Sequence, residues 1–444
     1  MKSSIVFSIV MVVSSLQAGA AADVVGKTVG GINDKIMDQT VLKDQLKGIR
    51  ETTPAVPDEV LEKINQNIDQ LDSLAENSLN PLRLGSEALQ IMTTQGETIF
   101  VEVEVEDGWR AIEREWLVTI EDGDLELLKK LAVEIEEEQQ LSHLGMTVVR
   151  FKIPKDQSEE KIRGQLPDRI AKQLGRNHVY EASSTVSSDN AGNGVKQSTC
   201  KDSIKVGMID TAINEEHAAF ETANLTQRNF MQKGVSVPKA HGTAVAGLLV
   251  GKDQLVPLLP QSQLYAASVF YPRNKYSQGA TLMHLIKALD WLLGENVSVI
   301  NMSLTGPDNP LLQAAISQVV EKNIGVIAAA GNEGPAASPR YPAAYEGVIA
   351  ATAVDSANEI YRWANQGEYV DFSALGVAIK TARMNNEYGY ESGTSMATPI
   401  VTAKIACQLQ QAKSIRTSKE RLQQEVIDLG EPGKDRIYGY GKLE

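Results

Sequence analysis

A serine just ahead of a long helical pattern is the residue best suited to nucleophilic chemistry in this chain. Ser395 lies in the string GTSMATP, residues 393–399, and apolar spacing predicts a helix over residues 397–411. At a helix N-terminus, unpaired backbone N–H groups point toward developing negative charge, which suits an attacking hydroxyl. The ordinary alternative for a serine in this place is a helix cap.

Asp210, His241 and Asn332 supply the other groups that acyl transfer requires. Asp210 follows the apolar run VGMI and Asn332 follows AAAG, so both are predicted to lie at the carboxyl ends of strands. His241 opens HGTAVAG and, of the five histidines, is the one flanked by residues small enough for a substrate backbone to approach. Taken singly, each also fits a structural role in a turn, a cap or a satisfied core position.

Together the four residues fit one mechanism of peptide hydrolysis. Ser395 would attack the carbonyl carbon, His241 would take and return the proton, and Asp210 would fix the imidazole tautomer. Asn332 and the backbone N–H of Ser395 would bind the oxyanion. The sequence therefore predicts a hydrolase with these four catalytic residues.

The elements that must position them begin at residue 204. Continuous apolar strands alternate there with helices, which is typical of a parallel sheet covered on both faces. Functional residues in such sheets gather where the strands end. The predicted strands are residues 204–209, 263–270, 297–302, 325–330 and 348–353, and the predicted helices are residues 242–250, 281–293, 311–321 and 397–411.

The residues ahead of 204 show two patterns and a linker. Residues 23–95 predict a helical segment, with apolar residues at helical spacing in 34–49 and 58–74. Residues 96–185 alternate strand and helix patterns and predict a small α+β unit with helices on one face. Residues 186–202 are rich in Ser, Asn and Gly and predict a linker that a protease would cut easily.

Within the α+β unit, the acidic run at 134–138 is interpreted as a solvated helix face. The predicted strands are residues 97–105, 115–120, 146–153 and 178–180, and the predicted helices are residues 124–135 and 159–174.

Composition and the N-terminus bound the class of protein. The length of 444 residues predicts two or three domains. The net charge of −14 gives no reason to expect a nucleic acid partner. Residues 1–22 combine Lys2, a short apolar run and small residues, which predicts a secretory signal and export to the periplasm or beyond the cell. A short membrane anchor is the alternative, but the run is well below about 18 residues. No later stretch is apolar enough to span a membrane.

The two cysteines, Cys200 and Cys407, leave two interpretations open. In an exported protein they could pair, or both could remain thiols. Neither has a Cys or His at ligand spacing, so no zinc site is expected.

Four short blocks of this chain resemble the signature blocks of the subtilisin-like serine proteases. They are IDT at 209–211, HGT at 241–243, AGN at 330–332 and GTSMA at 393–397. The resemblance covers residues 203–444, and YGYG at 438–441 is similar to the family's closing segment. It implies an α/β fold with a seven-stranded parallel sheet, helices on both faces and serine endopeptidase activity.

The same resemblance implies a set of substrate contacts. A strand at 300–304 would pair with substrate backbone, and Thr305 stands where the family usually has Gly, which narrows the specificity pocket or reshapes its rim. Arg340 falls at the pocket floor, where it would favour acidic or polar residues at the cleavage position, or else turn to solvent. The implied substrate-binding residues are Ser303, Leu304, Thr305, Ala330, Gly331 and Arg340.

Three departures from the family's pattern stand out. Ala212 and Ala244 replace a common Gly and His, and neither is a triad member. The third concerns calcium, which needs about six or more oxygen ligands. Residues 251–263 are short and hold one acid, Asp253, while Ala219 stands where calcium-binding members often place Asp. The family's tight calcium site is therefore predicted to be missing, and no cofactor is expected.

Residues 96–185 resemble the family's inhibitory propeptide, a small ferredoxin-like α+β domain. This implies that residues 23 to about 200 form a pro-region that assists folding and blocks the cleft, with a self-cleavage site within 182–201. The implied partners are polypeptide substrates and the chain's own pro-region.

Two other functions remain as alternatives. The protease-like part could be a scaffold for a binding or chaperone protein, although an intact triad argues against this. An ester hydrolase could use the same site, but the strand-pairing segment at 301–304 suits an extended peptide.

Overall fold

The structure, a computed structural model, describes residues 88–131, 133–182, 203–274 and 277–444, together with the backbone of strand 185–186. The predicted signal, the helical patterns at 34–49 and 58–74, most of the linker and Cys200 lie outside the described residues. The pairing of Cys200 with Cys407 therefore stays open.

The described strands and helices are numbered in chain order. The strands are β1 (Leu89–Met92), β2 (Thr98–Glu104), β3 (Arg110–Ile120), β4 (Glu134–Leu141), β5 (Met146–Lys152), β6 (Gly175–Ala182), β7 (Thr185–Val186), β8 (Lys205–Asp210), β9 (Asn224–Asn229), β10 (Gln263–Ser268), β11 (Tyr271–Pro272), β12 (Gln278–Thr281), β13 (Val299–Met302), β14 (Leu304–Thr305), β15 (Gly325–Ala329), β16 (Ile349–Val354), β17 (Val370–Leu375), β18 (Ile379–Arg383) and β19 (Glu387–Ser392). The helices are α1 (Asp124–Lys130), α2 (Glu159–Gln165), α3 (Asp168–Ala171), α4 (Ala240–Val250), α5 (Leu282–Gly294), α6 (Pro310–Glu321), α7 (Thr394–Ala412) and α8 (Ile415–Leu422).

Seven parallel strands form the central sheet in the order β17-β16-β15-β13-β8-β10-β9. Successive residues of a strand point to opposite faces, and β15 shows this directly. Val326 and Ala328 join the core beneath α5 and α6, whereas Ile327 joins the core beneath α4 and α7. Both faces are therefore covered by helices, and the expected α/β fold is confirmed.

Helix α7 begins at Thr394, three residues ahead of the predicted start, so Ser395 lies in its first turn. Gly393 precedes it with φ at 147°, a conformation that residues with a side chain rarely adopt. Strands β7, β9, β11, β12, β17, β18 and β19 and helix α8 were not predicted. These segments are short or mixed in polarity, so pairing with neighbouring elements determines their conformation.

Strand β3, helix α1, the hairpin of β4 and β5, helices α2 and α3, and strand β6 form the predicted α+β unit. Its sheet order is β4-β5-β3-β6, which is a ferredoxin-like arrangement. Trp116, Val118 and Phe151 pack against Ile162 and Ile170 in a core on the helical face. Helices on one face of this unit are therefore as expected.

The interpretation of the acidic run at 134–138 as a helix face is wrong, because these residues belong to strand β4. The propensity of Glu for helices is overridden by pairing with β5, whose cations meet the carboxylates. Lys152 Nζ lies 3.0 Å from Glu136, and Arg150 Nε lies 3.4 Å from Glu137.

Two further boundaries differ from the sequence predictions. The predicted helix at 159–174 is divided into α2 and α3, because Pro167 cannot continue the first helix. The predicted helical segment 23–95 does not reach residue 95, since β1 pairs with β2 as a hairpin.

Strand β6 links the α+β unit to the rest of the chain. It pairs with β3 on one side of the junction and with β12 and β14 on the other, so that residues 86–444 form one compact unit. None of the described helices is both long and apolar enough to cross a bilayer.

Candidate active site

Asp210 and His241 form a buried pair at the carboxyl end of the central sheet. Asp210 is the last residue of β8, and His241 is the second residue of α4. His241 Nδ1 lies 2.6 Å from Asp210 Oδ1, which also accepts a hydrogen bond from the Thr211 backbone N–H at 2.7 Å. This contact orients the imidazole with Nε2 on its far side.

Gly242 allows α4 to approach the end of β8 closely enough for this pair to form. A Cβ at Gly242 would lie 2.3 Å from the carbonyl oxygen of Thr211. The Gly242 N–H instead donates to Thr211 Oγ1 at 2.7 Å. The Gly after the histidine is therefore a steric requirement of the site.

Burial and two carboxylates shift the pKa of His241 in opposite directions. Burial alone lowers the pKa of His241, but Asp210 and, to a smaller degree, Glu391 raise it above its ordinary value. Within the described residues, His241 Nε2 is buried and has no hydrogen-bond partner. A buried polar nitrogen of this kind is suited to exchange a proton with a reacting group.

Ser395 is held against Ser303 by two contacts. The Ser303 hydroxyl donates to the Ser395 carbonyl oxygen at 3.1 Å, and Ser395 Oγ lies 3.4 Å from the Ser303 carbonyl oxygen. Pro399, four residues further along α7, has no N–H to donate to the Ser395 carbonyl. Ser303 replaces that missing helical hydrogen bond.

The position of Ser303 depends on a short chain of hydrogen bonds. Asn301 Nδ2 donates to Ser303 Oγ at 3.0 Å, and Thr402 Oγ1 donates to Asn301 Oδ1 at 2.9 Å. All three side chains are buried. The end of β13 and the first turns of α7 are thereby joined, and the sequence offered no signal for the Thr402 contact.

Asn332 is oriented by the residue that precedes Ser395. Its Oδ1 accepts from the Thr394 backbone N–H and from Thr394 Oγ1, both at 3.0 Å. Because the oxygen is held on this side, the amide nitrogen is directed elsewhere. Gly331, with φ at 115°, makes the turn into Asn332, and a Cβ there would lie 2.3 Å from Asn365 Nδ2.

Arg340 lies beside Glu333 and under the ring of Trp109. Its Nε is 3.4 Å from Glu333 Oε2, and its guanidinium carbon lies 4.5 Å from the Trp109 ring centroid. The side chain is 13% exposed, so the alternative of Arg340 turned to solvent is wrong. Thr305 Oγ1 also reaches Glu333, at 3.5 Å. Glu333 therefore contacts two of the predicted substrate-binding residues, and its negative charge is opposite in sign to that of Arg340.

The remaining predicted substrate-binding residues line the same region. Leu304 and Thr305 form β14, which pairs with β6, and Leu304 is buried. The Ala330 carbonyl oxygen accepts from Tyr369 Oη at 2.9 Å.

The chain's own backbone pairs with both sides of this site. Glu181 and Ala182 of β6 pair antiparallel with Thr305 and Leu304. Beyond residues 183 and 184, β7 pairs antiparallel with the end of β19, three residues ahead of Ser395. The described segments on either side of this two-residue link therefore approach the site from opposite ends.

Glu391 is a site residue that the sequence analysis missed. It is buried, its Oε1 lies 3.0 Å from Arg383 Nε, and burial raises the pKa of its carboxyl group. It raises the pKa of His241 in turn. Its place four residues ahead of Ser395 carries no sequence signal, because the hairpin of β18 and β19 determines which way it faces.

The two segments in which the family's calcium site is predicted to be missing, residues 251–263 and the residues around Ala219, form hydrogen bonds with other parts of the chain. Asp253 Oδ2 accepts from Tyr388 Oη at 2.7 Å, and the Ala218 N–H donates to Asn386 Oδ1 at 2.7 Å. No group of three or more His, Cys, Asp or Glu side chains in the described part of the chain is arranged to hold a metal ion.

Comparison with known proteins places the chain in a family. A family model described as the subtilase family matches residues 201–441. Subtilisin from Bacillus pumilus is 35% identical over 217 residues, which cover 46% of this chain and 75% of that protein. The minor extracellular protease Epr from Bacillus subtilis is 30% identical over 248 residues, 54% of this chain but 38% of that protein.

One solved structure extends the likeness in fold. It is the structure of fervidolysin from Fervidobacterium pennivorans, a keratinolytic enzyme related to subtilisin. The alignment has a TM-score of 0.63 and 18% sequence identity, and it covers 81% of this chain and 63% of that chain. At this identity the likeness concerns the fold alone. The family match over more than half of the chain, together with the similarity to subtilisin, establishes that the chain belongs to the subtilase family.

Proposed function

We propose that this protein is an exported serine endopeptidase that is made as a self-inhibited precursor and processes itself. The proposal rests on family membership and on one observation above all, the 2.6 Å contact between His241 Nδ1 and Asp210 Oδ1 in a buried site. Its substrates are polypeptides, bound as an extended strand.

In the proposed reaction, the Ser395 hydroxyl attacks the carbonyl carbon of the scissile bond while His241 Nε2 accepts its proton. Asp210 stabilises the resulting imidazolium. Asn332 and the Ser395 backbone N–H donate to the oxyanion. His241 then protonates the leaving amine, and a water molecule, activated in the same way, releases the acyl group.

The fixed orientation of the donors supports this assignment. Thr394 holds the carbonyl oxygen of the Asn332 amide, so its N–H₂ group is preset as a donor before substrate arrives. Ser303 holds the Ser395 backbone from the other side. Preset donors stabilise the transition state without reorganisation at the moment of reaction.

The specificity pocket would be formed by Ser303, Leu304, Thr305, Ala330, Gly331 and Arg340. Because Glu333 neutralises Arg340, the acidic preference proposed for Arg340 is expected only where a substrate carboxylate displaces Glu333. Small polar residues at the cleavage position are the simpler fit.

Two flanking strand pairs support the proposed self-inhibition. Residues 181–182 pair with β14 and residues 185–186 pair with β19, so the chain itself competes with substrate for the cleft. We propose that self-cleavage occurs within the link that joins Ala182 to Thr185, at the start of the range expected from the sequence.

Residues 1–22 would direct export to the periplasm or the extracellular medium, and residues 23 to about 200 would act as the pro-region. The family's tight calcium site is proposed to be absent, since the acid in the relevant loop, Asp253, is bound to Tyr388.

The test compares the intact mass of the purified protein with that of its Ser395→Ala variant. We expect the wild type to be cut between residues 182 and 185 and the variant to keep its full length. Labelling by a fluorophosphonate, which reacts with an activated serine, should follow the same pattern. An uncut wild type that also resists the label would contradict the proposed activity and favour the scaffold alternative.

A further inference from the structure

Arg273 follows strand β11 and buries a full positive charge beside the strand that occupies the cleft. Its side chain is 0% exposed. Its Nε lies 3.0 Å from Glu102 Oε2, its Nη2 lies 2.7 Å from Glu102 Oε1, and its Nη1 contacts Glu181 Oε1. A buried guanidinium that forms ion pairs with two carboxylates is a preorganised anion-binding site.

Both carboxylates come from the proposed pro-region. Glu102 lies on β2 and Glu181 on β6, and within the described residues both ion-pair partners of Arg273 precede residue 203. Glu102 has further partners, because Tyr271 Oη donates to it at 2.8 Å and Arg110 Nε at 2.5 Å. Departure of the pro-region would remove both carboxylates from Arg273.

Glu181 stands at a position that a substrate residue would take. Its backbone pairs with Gly279 of β12 on one side and with Thr305 of β14 on the other. A peptide that adds to these two strands must place one residue opposite Thr305, and the side chain of that residue would face Arg273 as Glu181 does.

We propose that Arg273 is a specificity-determining residue that selects substrates with an acidic side chain opposite Thr305, two residues ahead of the link that is cleaved in the chain itself. This inference rests on the proposed endopeptidase function and names a class of substrate for it. Glu181 is then the chain's own copy of the preferred residue.

The physical reason is the cost of covering an unpaired guanidinium. A bound substrate strand covers Arg273 again, and a glutamate in that strand restores the ion pair. A glutamine has the same shape without the charge, and a lysine places two cations together. From the strength of hydrogen bonds to charged groups, we expect kcat/KM to be about 10- to 100-fold higher for a substrate with glutamate at this position than for one with glutamine.

The experiment measures kcat/KM of the wild-type enzyme on fluorogenic peptides that copy residues 178–187. Three peptides carry Glu, Gln or Lys at the position of residue 181. A fourth peptide carries Gln at that position and Glu at its C-terminal end, which controls for net charge. We expect the order Glu, Gln, Lys, with the control peptide equal to the Gln peptide.

Variants locate the preference at Arg273. Arg273→Gln should remove the difference between the Glu and Gln peptides, and Arg273→Glu should favour the Lys peptide. The exposed Arg228→Gln serves as the matched control and should keep the wild-type order. The wild-type series needs no variant, so it decides the question even if Arg273 variants do not fold.

Each outcome has a distinct meaning. Equal kcat/KM for the Glu and Gln peptides with the wild type overturns the role of Arg273 and leaves the endopeptidase activity standing. Cleavage of none of the peptides, with no fluorophosphonate label on Ser395, overturns the proposed function and the inference with it.

Discussion

The hydroxyl of Ser303 donates a hydrogen bond to the carbonyl oxygen of Ser395, 3.1 Å away, where Pro399 cannot supply the usual helical donor. The candidate nucleophile is thus placed at a helix start whose first turn is completed from the central sheet. This contact makes the geometry of Ser395 depend on β13 as well as on α7.

Replacing Ser303 by alanine should therefore destabilise the protein, because the buried Ser395 carbonyl loses its partner. The expected loss is about 1–3 kcal/mol in the free energy of unfolding. Urea unfolding of the full chain in the Ser395→Ala background, which avoids self-digestion, measures it. Ser373→Ala is the matched control, since its buried hydroxyl has no hydrogen-bond partner among the described residues, and an equal loss in both variants would contradict the assignment.

Asn332→Ala should lower kcat by about 100- to 1000-fold with little change in KM, because an oxyanion donor acts mainly in the transition state. Steady-state hydrolysis of a fluorogenic peptide gives both constants. The exposed Asn224→Ala should leave them unchanged. A rise in KM at constant kcat would instead indicate that Asn332 serves ground-state binding.

The pH dependence of activity should report the two carboxylates near His241. A histidine that acts as a general base must be deprotonated, so kcat/KM falls as pH falls through the pKa of His241, which Asp210 and Glu391 raise. Glu391→Gln removes one raising charge and leaves the Arg383 cation nearby, so the acid limb should move to lower pH. Glu387→Gln, on the exposed part of the same strand, should not move it. An unshifted limb in Glu391→Gln would refute the coupling.

The precursor should lose stability in mild acid. Burial, assisted by Arg176, lowers the pKa of His178 from 6.5 to about 4. The unfolded chain then binds more protons than the folded chain between these values, so stability falls as pH drops through this window. The melting temperature of the Ser395→Ala precursor should be measured at several pH values above the range in which ordinary carboxylates titrate. Its fall with decreasing pH would report the effect of His178.

His178→Gln should flatten this dependence, while the exposed His143→Gln should retain it. His284, whose pKa burial lowers to about 3, adds to the same trend and is unchanged in both variants. A precursor whose melting temperature is constant across the window would contradict the burial of His178 as a neutral group.

Calcium should leave the melting temperature of the precursor unchanged. A ligand that binds only the folded state raises stability with its concentration, and the loop acid Asp253 is already bound to Tyr388. Differential scanning calorimetry in chelator and in increasing calcium makes the comparison. A concentration-dependent rise would show a calcium site that the sequence reasoning missed.

The α/β class of the chain from residue 204 onward and the four candidate catalytic residues could be predicted from the sequence alone because their signals are local. Apolar strands buried on both faces and small residues at the turns are written in consecutive positions. The strand β4 could not be identified in this way. Its glutamates favour a helix by propensity, and pairing with β5, whose cations meet the carboxylates, reverses that preference.

The sequence by itself determined that Asp210, His241, Asn332 and Ser395 stand at the ends of strands or the starts of helices in a parallel α/β fold. Only the tertiary structure decided which groups surround them. The contact of Ser303 with Ser395, the influence of Glu391 on His241 and the placement of Glu181 against Arg273 join elements distant in sequence. Their physical cause is strand register and helix packing, which bring together side chains that no local pattern relates.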